Sequence, residues 1–430
     1  MKTRLIATFL LASIFVGCTG GSEKITDRSD YDTYLMVDSS EKTSNLKREV
    51  AFWSQKVNRD SIQIISLGKL GDLYTQLFDR TGDIQFLKDA EQVLAKAADV
   101  AAIGKDSYRF ALARNYVTQH RFKDALALLQ QVNEDTGVVS KPLAMQLFDI
   151  HLELGNDMAA EEYLGIFKND YSFDALIRIA KWQDSLGELD AAIFYMESAM
   201  KLAKKSKNKS LMLWSYSNLA DFYGHAGRLQ QSYEYYLKAL QLDQDDTYAL
   251  KGIAWILFSK EGDANEASRI LDAISLKKNT PDLQLFKEKI ARSLQNEKEV
   301  EQQRLAYFTQ VTDANYGVMY DSYSIELLVE NPTTLEKAIS LAKNEVNNRP
   351  TPETYGLLAY ALFKSGAKQV ALQIIEAHVA GKTSEPKTLY HMAAIYKANN
   401  KTMEVIPLKD ELKASLFELG PIYHEKIDHL

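Results

Sequence analysis

The stretch His424-Glu425-Lys426-Ile427-Asp428-His429 carries the densest metal-ligating chemistry of this chain. Two imidazoles and a carboxylate hold a zinc ion and its water only if both rings face one point, which on a single helix needs histidines four residues apart. Here they are five apart, which turns them about 140° from each other at 3.6 residues per turn. His225 follows Gly224 with no second histidine or cysteine nearby, so it reads as a polar residue on an inner wall. His378 and His391 fall in different helical stretches, and the adjacent carboxylates Glu161 and Glu162 point apart as a solvated face does. No glycine-rich phosphate loop and no GxSxG elbow occurs. The chain therefore reads as a non-enzyme, without metal or cofactor.

One residue does point to a covalent modification. Lys2 and Arg4 precede an apolar run from Leu5 to Val16, and Gly17 supplies a small residue ahead of Cys18, the single cysteine of the chain. A positive region, a short apolar region and a small residue make an export signal, too short for a bilayer span of about 20 residues. Phe15-Val16-Gly17-Cys18 resembles a bacterial lipobox, with Phe15 where Leu is usual. That resemblance implies acylation of Cys18, a mature chain starting there, and a stable hold on a lipid bilayer through several acyl chains. Thr19 follows the cysteine, whereas an Asp there resembles the inner-membrane retention signal. The expected address is thus the bacterial cell envelope, at the outer membrane.

Composition sets the kind of body that the rest of the chain forms. The 430 residues are 46% hydrophobic and 25% charged, with only 8 prolines and 20 glycines, which favours a folded, mainly helical chain. The formal charge is −7, and removing residues 1–17 takes Lys2 and Arg4 away, leaving 49 basic against 58 acidic residues, or −9. No concentrated basic face is expected, so nucleic acid is not a partner. The lysine-rich Lys201–Ser210 reads as a solvated loop between helices. Residues 18–45 are polar and rich in Ser, Thr and Asp, and read as a lipidated tether with a small apolar patch at Tyr31, Tyr34, Leu35 and Met36.

After the tether, helical periodicity is continuous and recurs at about 34 residues. Ala220 is followed by Tyr223, Gly227, Tyr236 and Ala239; Ala113 by Tyr116, Ala125, Leu129 and Val132; Ala180 by Gly187, Ala192, Met196 and Ala199. Ala359 is followed by Leu362, Gly366, Ala371 and Ile375, and Ala393 by Tyr396. A small residue lets two helices cross closely, an aromatic covers the crossing, and each pair buries its apolar face by stacking on the next. These positions resemble the tetratricopeptide repeat. The resemblance implies an all-α, right-handed superhelical solenoid of antiparallel helix pairs, about nine to ten units over roughly residues 63 to 418. Residues 46–280 form an N-terminal array and 321–430 a C-terminal array with a capping helix. Residues 281–320 match poorly and are a degenerate repeat, a hinge or a site insertion.

In such arrays the concave wall is formed by the first helix of each pair, at set offsets from the small residue. Carried onto this chain, that rule selects Phe110, Arg114, Lys181, Trp214, Asp221, His225, Tyr248, Lys251, Trp255, Phe258, Tyr360, Phe363, Tyr390 and Lys397. Aromatics interspersed with charges suit an extended peptide or a partner helix, with the aromatics as anchors. The resemblance thus implies a protein or peptide partner in the envelope and a scaffold function. A nutrient-binding lipoprotein beside an outer-membrane transporter is the second reading, against which the short loops count.

Overall fold

The computed structural model describes residues 24–57 and 63–430. The expected signal, residues 1–17, and Cys18 lie outside them. Every regular element among the described residues is helical. From Ile64–Thr81 and Ile84–Val100 to Pro386–Ala398 and Thr402–Ala414, twenty helices follow one another as ten antiparallel pairs. The fold is an all-α solenoid of the tetratricopeptide type.

The recurring small residues are the crossing points. Ala113, Ala180, Ala220, Ala254, Ala359 and Ala393 in first helices, and Ala125, Ala192, Ala239, Ala267 and Ala371 in second helices, are all fully buried. Gly252 shows why size matters there, since a Cβ on it would stand 2.2 Å from the Tyr236 ring. Helix starts follow local capping: Ser172, Asn208, Asp246 and Asp263 each accept a backbone N–H with their side chains. Lys201–Ser210 is not a loop as expected. The helix Leu189–Ser206 runs through most of it and the next begins at Lys209, with only Lys207 and Asn208 between them. Alanine-rich spacing on the buried face carries the helix past the lysines, which sit on its open side.

The poorly matching residues 281–320 begin as an ordinary pair, Pro281–Ser293 and Glu297–Val311. Departure from the repeat is confined to the end of that stretch, where a short 3₁₀ turn at Ala314–Tyr316 leads to Asp321–Leu328. Tyr316 leaves its own pair there and packs on Ile84 and Leu87.

That contact is one of a series in which the array rests on itself. Lys278 Nζ donates to Asp79 O at 2.7 Å, Asn348 Nδ2 to His120 O at 3.2 Å, and Trp255 Nε1 to Phe417 O at 3.0 Å. Gly155, held at φ 68°, faces the Pro350 carbonyl so closely that a Cβ would stand 3.0 Å from it. These partners are 162 to 228 residues apart, roughly six repeats of about 34. One coil therefore sits on the next, and the inner wall of the second coil lines a half-open space.

Of the segment expected to be a tether, residues 24–45 are described, and they dock on the array. Ile25 and Thr26 donate backbone N–H groups to Glu261 at 2.8 and 2.7 Å, and Tyr31, fully buried, donates to Glu266 at 2.9 Å. Arg269 pairs with Asp32 at 2.6 Å, and Leu35 is buried while Met36 stays exposed. Farther on, Lys42 reaches Asp243 and Asp245, both at 2.7 Å, and Arg80 reaches Asp245 at 2.5 Å. The polar composition of this stretch marks charge pairing on the outside of the array, not freedom from it.

Candidate functional site

First helices of the later pairs, Lys209–His225, Thr247–Ile256, Pro281–Ser293, Asp321–Leu328, Pro352–Lys364 and Pro386–Ala398, surround a cavity of about 560 Å³. The C-terminal segments Leu416–Leu419 and Tyr423–Asp428 close one side of it. Of the residues expected on the concave wall, Asp221, His225, Tyr248, Lys251, Trp255, Tyr360 and Tyr390 line this cavity together.

The others lie elsewhere. Phe110 packs against the cluster around Ala113 and Leu129. Arg114 is exposed, and burial of its surroundings and the nearby Arg178 charge lower its pKa. Lys181 pairs with Glu153 at 2.8 Å. Trp214 is 40% exposed and meets Phe173 edge-on with centroids 5.8 Å apart. Phe258 is a core residue, 1% exposed between Trp255 and Phe286, because the helix widens into a π turn at Leu257–Glu261 and rotates it inward. Phe363 packs on the C-terminal core, and Lys397 donates to the His429 carbonyl, fixing the last helix.

Much of the cavity wall is charged, and most of that charge is matched. Lys251 pairs with Asp282 at 2.6 Å and Lys387 contacts Glu326. Arg292 meets Glu330 at 2.8 Å and Arg304 meets Glu288 at 2.9 Å, with Arg292 also on Glu288 and Arg304 on Glu330, so four side chains form one network. Asp221 accepts the hydroxyls of Tyr236 and Tyr248 at 2.6 and 2.5 Å; burial raises its pKa. Glu385 accepts the backbone N–H and hydroxyl of Thr388 at 2.6 and 2.8 Å, capping its own helix. Burial pushes the Glu418 carboxyl up.

Against these, Lys289 and Lys426 form no ion pair. Lys289 Nζ lies 5.1 Å from the Trp255 ring centroid and Lys426 Nζ 4.6 Å from that of Tyr423. His391 is buried, stacked on Tyr360 with centroids 4.0 Å apart, and its Nδ1 has no hydrogen-bond partner. Burial, then the charges of Lys387 and Lys426, hold its pKa well below the ordinary histidine value, so the ring is neutral near pH 7. Tyr423 meets Tyr390 edge-on at 5.1 Å, and Phe417 extends the aromatic surface beside Trp255. Such a wall can bind; among the described residues no group of three or more His, Cys, Asp or Glu is placed to hold a metal ion.

Several lining residues escaped the sequence reading. Asp282, Phe286, Glu288, Lys289 and Arg292 come from the helix whose surroundings matched the repeat poorly. A signal existed, since Ile290-Ala291 stands where Leu219-Ala220 and Ile253-Ala254 stand, and the same offsets from Ala291 give Leu285, Glu288 and Arg292. Lys387 sits six before Ala393, where the rule also points. Phe417, Glu418 and Tyr423 carried no signal, because they reach the cavity from outside the repeats.

The tetratricopeptide-repeat family matches residues 173–206 and 215–246, the fourth pair and most of the fifth. The chain thus carries tetratricopeptide repeats, modules that generally bind protein partners. No curated protein matches it. Among solved structures it is similar to PilF of Pseudomonas aeruginosa, at 14% identity over 52% of this chain and 96% of that one, with a TM-score of 0.36. It is also similar to the Cut9-Hcn1 hetero-tetramer of the APC/C, at 15% identity over 84% of this chain and 75% of that one, with a TM-score of 0.35.

Proposed function

We propose that this protein is a scaffold of the bacterial cell envelope, held to a membrane by acylated Cys18 and binding a protein partner along the first helices of its repeats. The observation that carries the scaffold reading is the array itself: ten stacked pairs present one set of aromatic and charged positions on a continuous wall, with Trp214 and Tyr248 left about half exposed on it. Exposed aromatics beside charges are the side chains that anchor peptides. No helix among the described residues is long and apolar enough to cross a membrane.

The docked N-terminus supports a defined orientation. Only six residues lie between Cys18 and Ile25, which is clamped to Glu261, and those seven steps of chain span at most about 25 Å. Lipid on Cys18 would therefore hold the outer face formed by Leu229–Leu242 and Ala264–Ser275 toward the bilayer and leave the rest of the array free.

Cross-linking in cells, followed by capture from membrane and soluble fractions, tests both halves. Cys18→Ala is expected to move the protein into the soluble fraction with its partner still captured. Trp214→Ala/Tyr248→Ala is expected to leave it on membranes and lose the partner. Membrane retention of Cys18→Ala would overturn the anchor, and the same captured set with both aromatics removed would overturn the scaffold surface.

A further inference from the structure

The half-open cavity holds more binding chemistry than a partner-docking surface requires. Its carboxylates are mostly spent: Glu288 and Glu330 on two arginines, Asp282 on Lys251, Glu326 on Lys387, Asp221 on two tyrosines. Glu385 is taken by Thr388, and Glu418 is the one lining carboxylate with neither an ion pair nor a side-chain hydrogen bond among the described residues. The unmatched cations lie together at another part of the wall. Lys289 and Lys426 rest on aromatic faces with no carboxylate in ion-pair contact, Glu288 and Glu385 acting on the first and Glu330 and Glu288 on the second from farther off, and both lysines act electrostatically on Lys387, so three lysine side chains share one region. His391 stands on this same wall, only 4% exposed, with its Nδ1 shut off from solvent and without a partner. The grouped cations point to a missing anionic ligand.

Shape narrows the class. A volume of about 560 Å³ lies within the range of small-molecule sites, roughly 300–1,000 Å³, and is too small for a folded partner. Trp255, Tyr360, Tyr390 and Tyr423 supply flat apolar faces next to the cations. We infer that this cavity binds a small organic anion, its carboxylate, sulfonate or phosphate head between Lys289 and Lys426 and its ring packed among the tyrosines. Burial lowers the pKa of both lysines, and a bound anion reverses that cost. The inference goes beyond the scaffold reading and does not depend on the anchor.

The probe is 8-anilinonaphthalene-1-sulfonate, an aryl sulfonate whose fluorescence rises in apolar sites, titrated into the full-length chain carrying Cys18→Ser. One saturable equivalent is expected, weakened at least about ten-fold by Lys289→Gln/Lys426→Gln with the far-ultraviolet circular dichroism unchanged. A second measurement needs no lysine variant: benzenesulfonate is expected to displace the probe and uncharged benzenesulfonamide to leave it bound. Absence of saturable binding, binding indifferent to the two substitutions in the folded variant, or equal displacement by both competitors would each overturn the site.

Discussion

The inner wall of the first coil and that of the second are built from the same repeat positions and solve their charges differently. In the first coil, Arg178 pairs with Asp149 at 2.8 Å, Lys181 with Glu153 at 2.8 Å, and Arg349 crosses from the next coil to within 3.9 Å of Glu153. Neighbouring repeats there neutralise each other at these positions, while Arg114 stays exposed and makes no ion pair among the described residues. In the second coil the arginine and glutamate network is as complete, but Lys289, Lys426 and His391 are left over and tyrosines take the place of further pairs. Charge that closes within the chain serves assembly, and charge left open beside aromatics is available to something else.

This contrast can be broken most strongly at Glu288. Its side chain is 5% exposed and shared by Arg292 and Arg304, so Glu288→Ala leaves two half-buried guanidinium groups competing for Glu330. Removing one partner of a buried pair costs about 3 kcal/mol. Glu153→Ala, at a position 30% exposed, should cost no more than about 1 kcal/mol by the same reasoning. Paired urea melts decide it; equal losses would mean that the two walls do not differ in how deeply their charges are committed.

A smaller effect is expected at the strap. Trp255 Nε1 and Ser259 Oγ both donate to the Phe417 carbonyl, at 3.0 and 2.6 Å, while the Phe417 ring lies over Gly224. Phe417→Ala should cost about 2 kcal/mol, less than a fully buried phenylalanine. The more telling readout is hydrogen exchange, which should quicken for amides from Leu416 to Asp428 and stay slow in the helices of the tenth pair. Global loosening of that pair would show that the strap is part of the array's core and not a closure laid over the chamber.

How much of this was legible depends on how local each feature is. Ala220, Ala254 and Ala393 were readable as crossing points because the contact they make lies within one repeat and recurs at fixed spacing. The meeting of Gly155 with Pro350, or Trp255 with Phe417, depends on the small rotation added by each of about six pairs, which no short window of sequence contains. For the same reason the concave wall read as an open groove, although in the second coil it lines a half-open cavity. Phe258 obeyed the offset rule and still entered the core, since one π turn shifts the register by a single residue. The docking of Tyr31 was hinted at by its apolar patch, while its acceptor, Glu266, lies 235 residues away.

The smallest effect carries a sign that tests the reading of buried charge directly. Burial, and then the nearby Glu345 carboxylate, push Asp321 up to about 6. A carboxyl whose folded-state pKa exceeds its unfolded value of 3.8 destabilises the fold when ionised. The penalty is full above pH 6 and fades as pH falls from 6 toward 4, opposite to the usual acid loss of stability. Asp321→Asn is therefore expected to raise stability at pH 7 by about 1 kcal/mol, allowing for partial exposure, and to change nothing at pH 4. Thermal melts of the variant and the parent across that range measure it. A gain that persists at pH 4 would assign the effect to helix capping at Asp321–Leu328, and no gain at pH 7 would mean that water reaches the carboxylate.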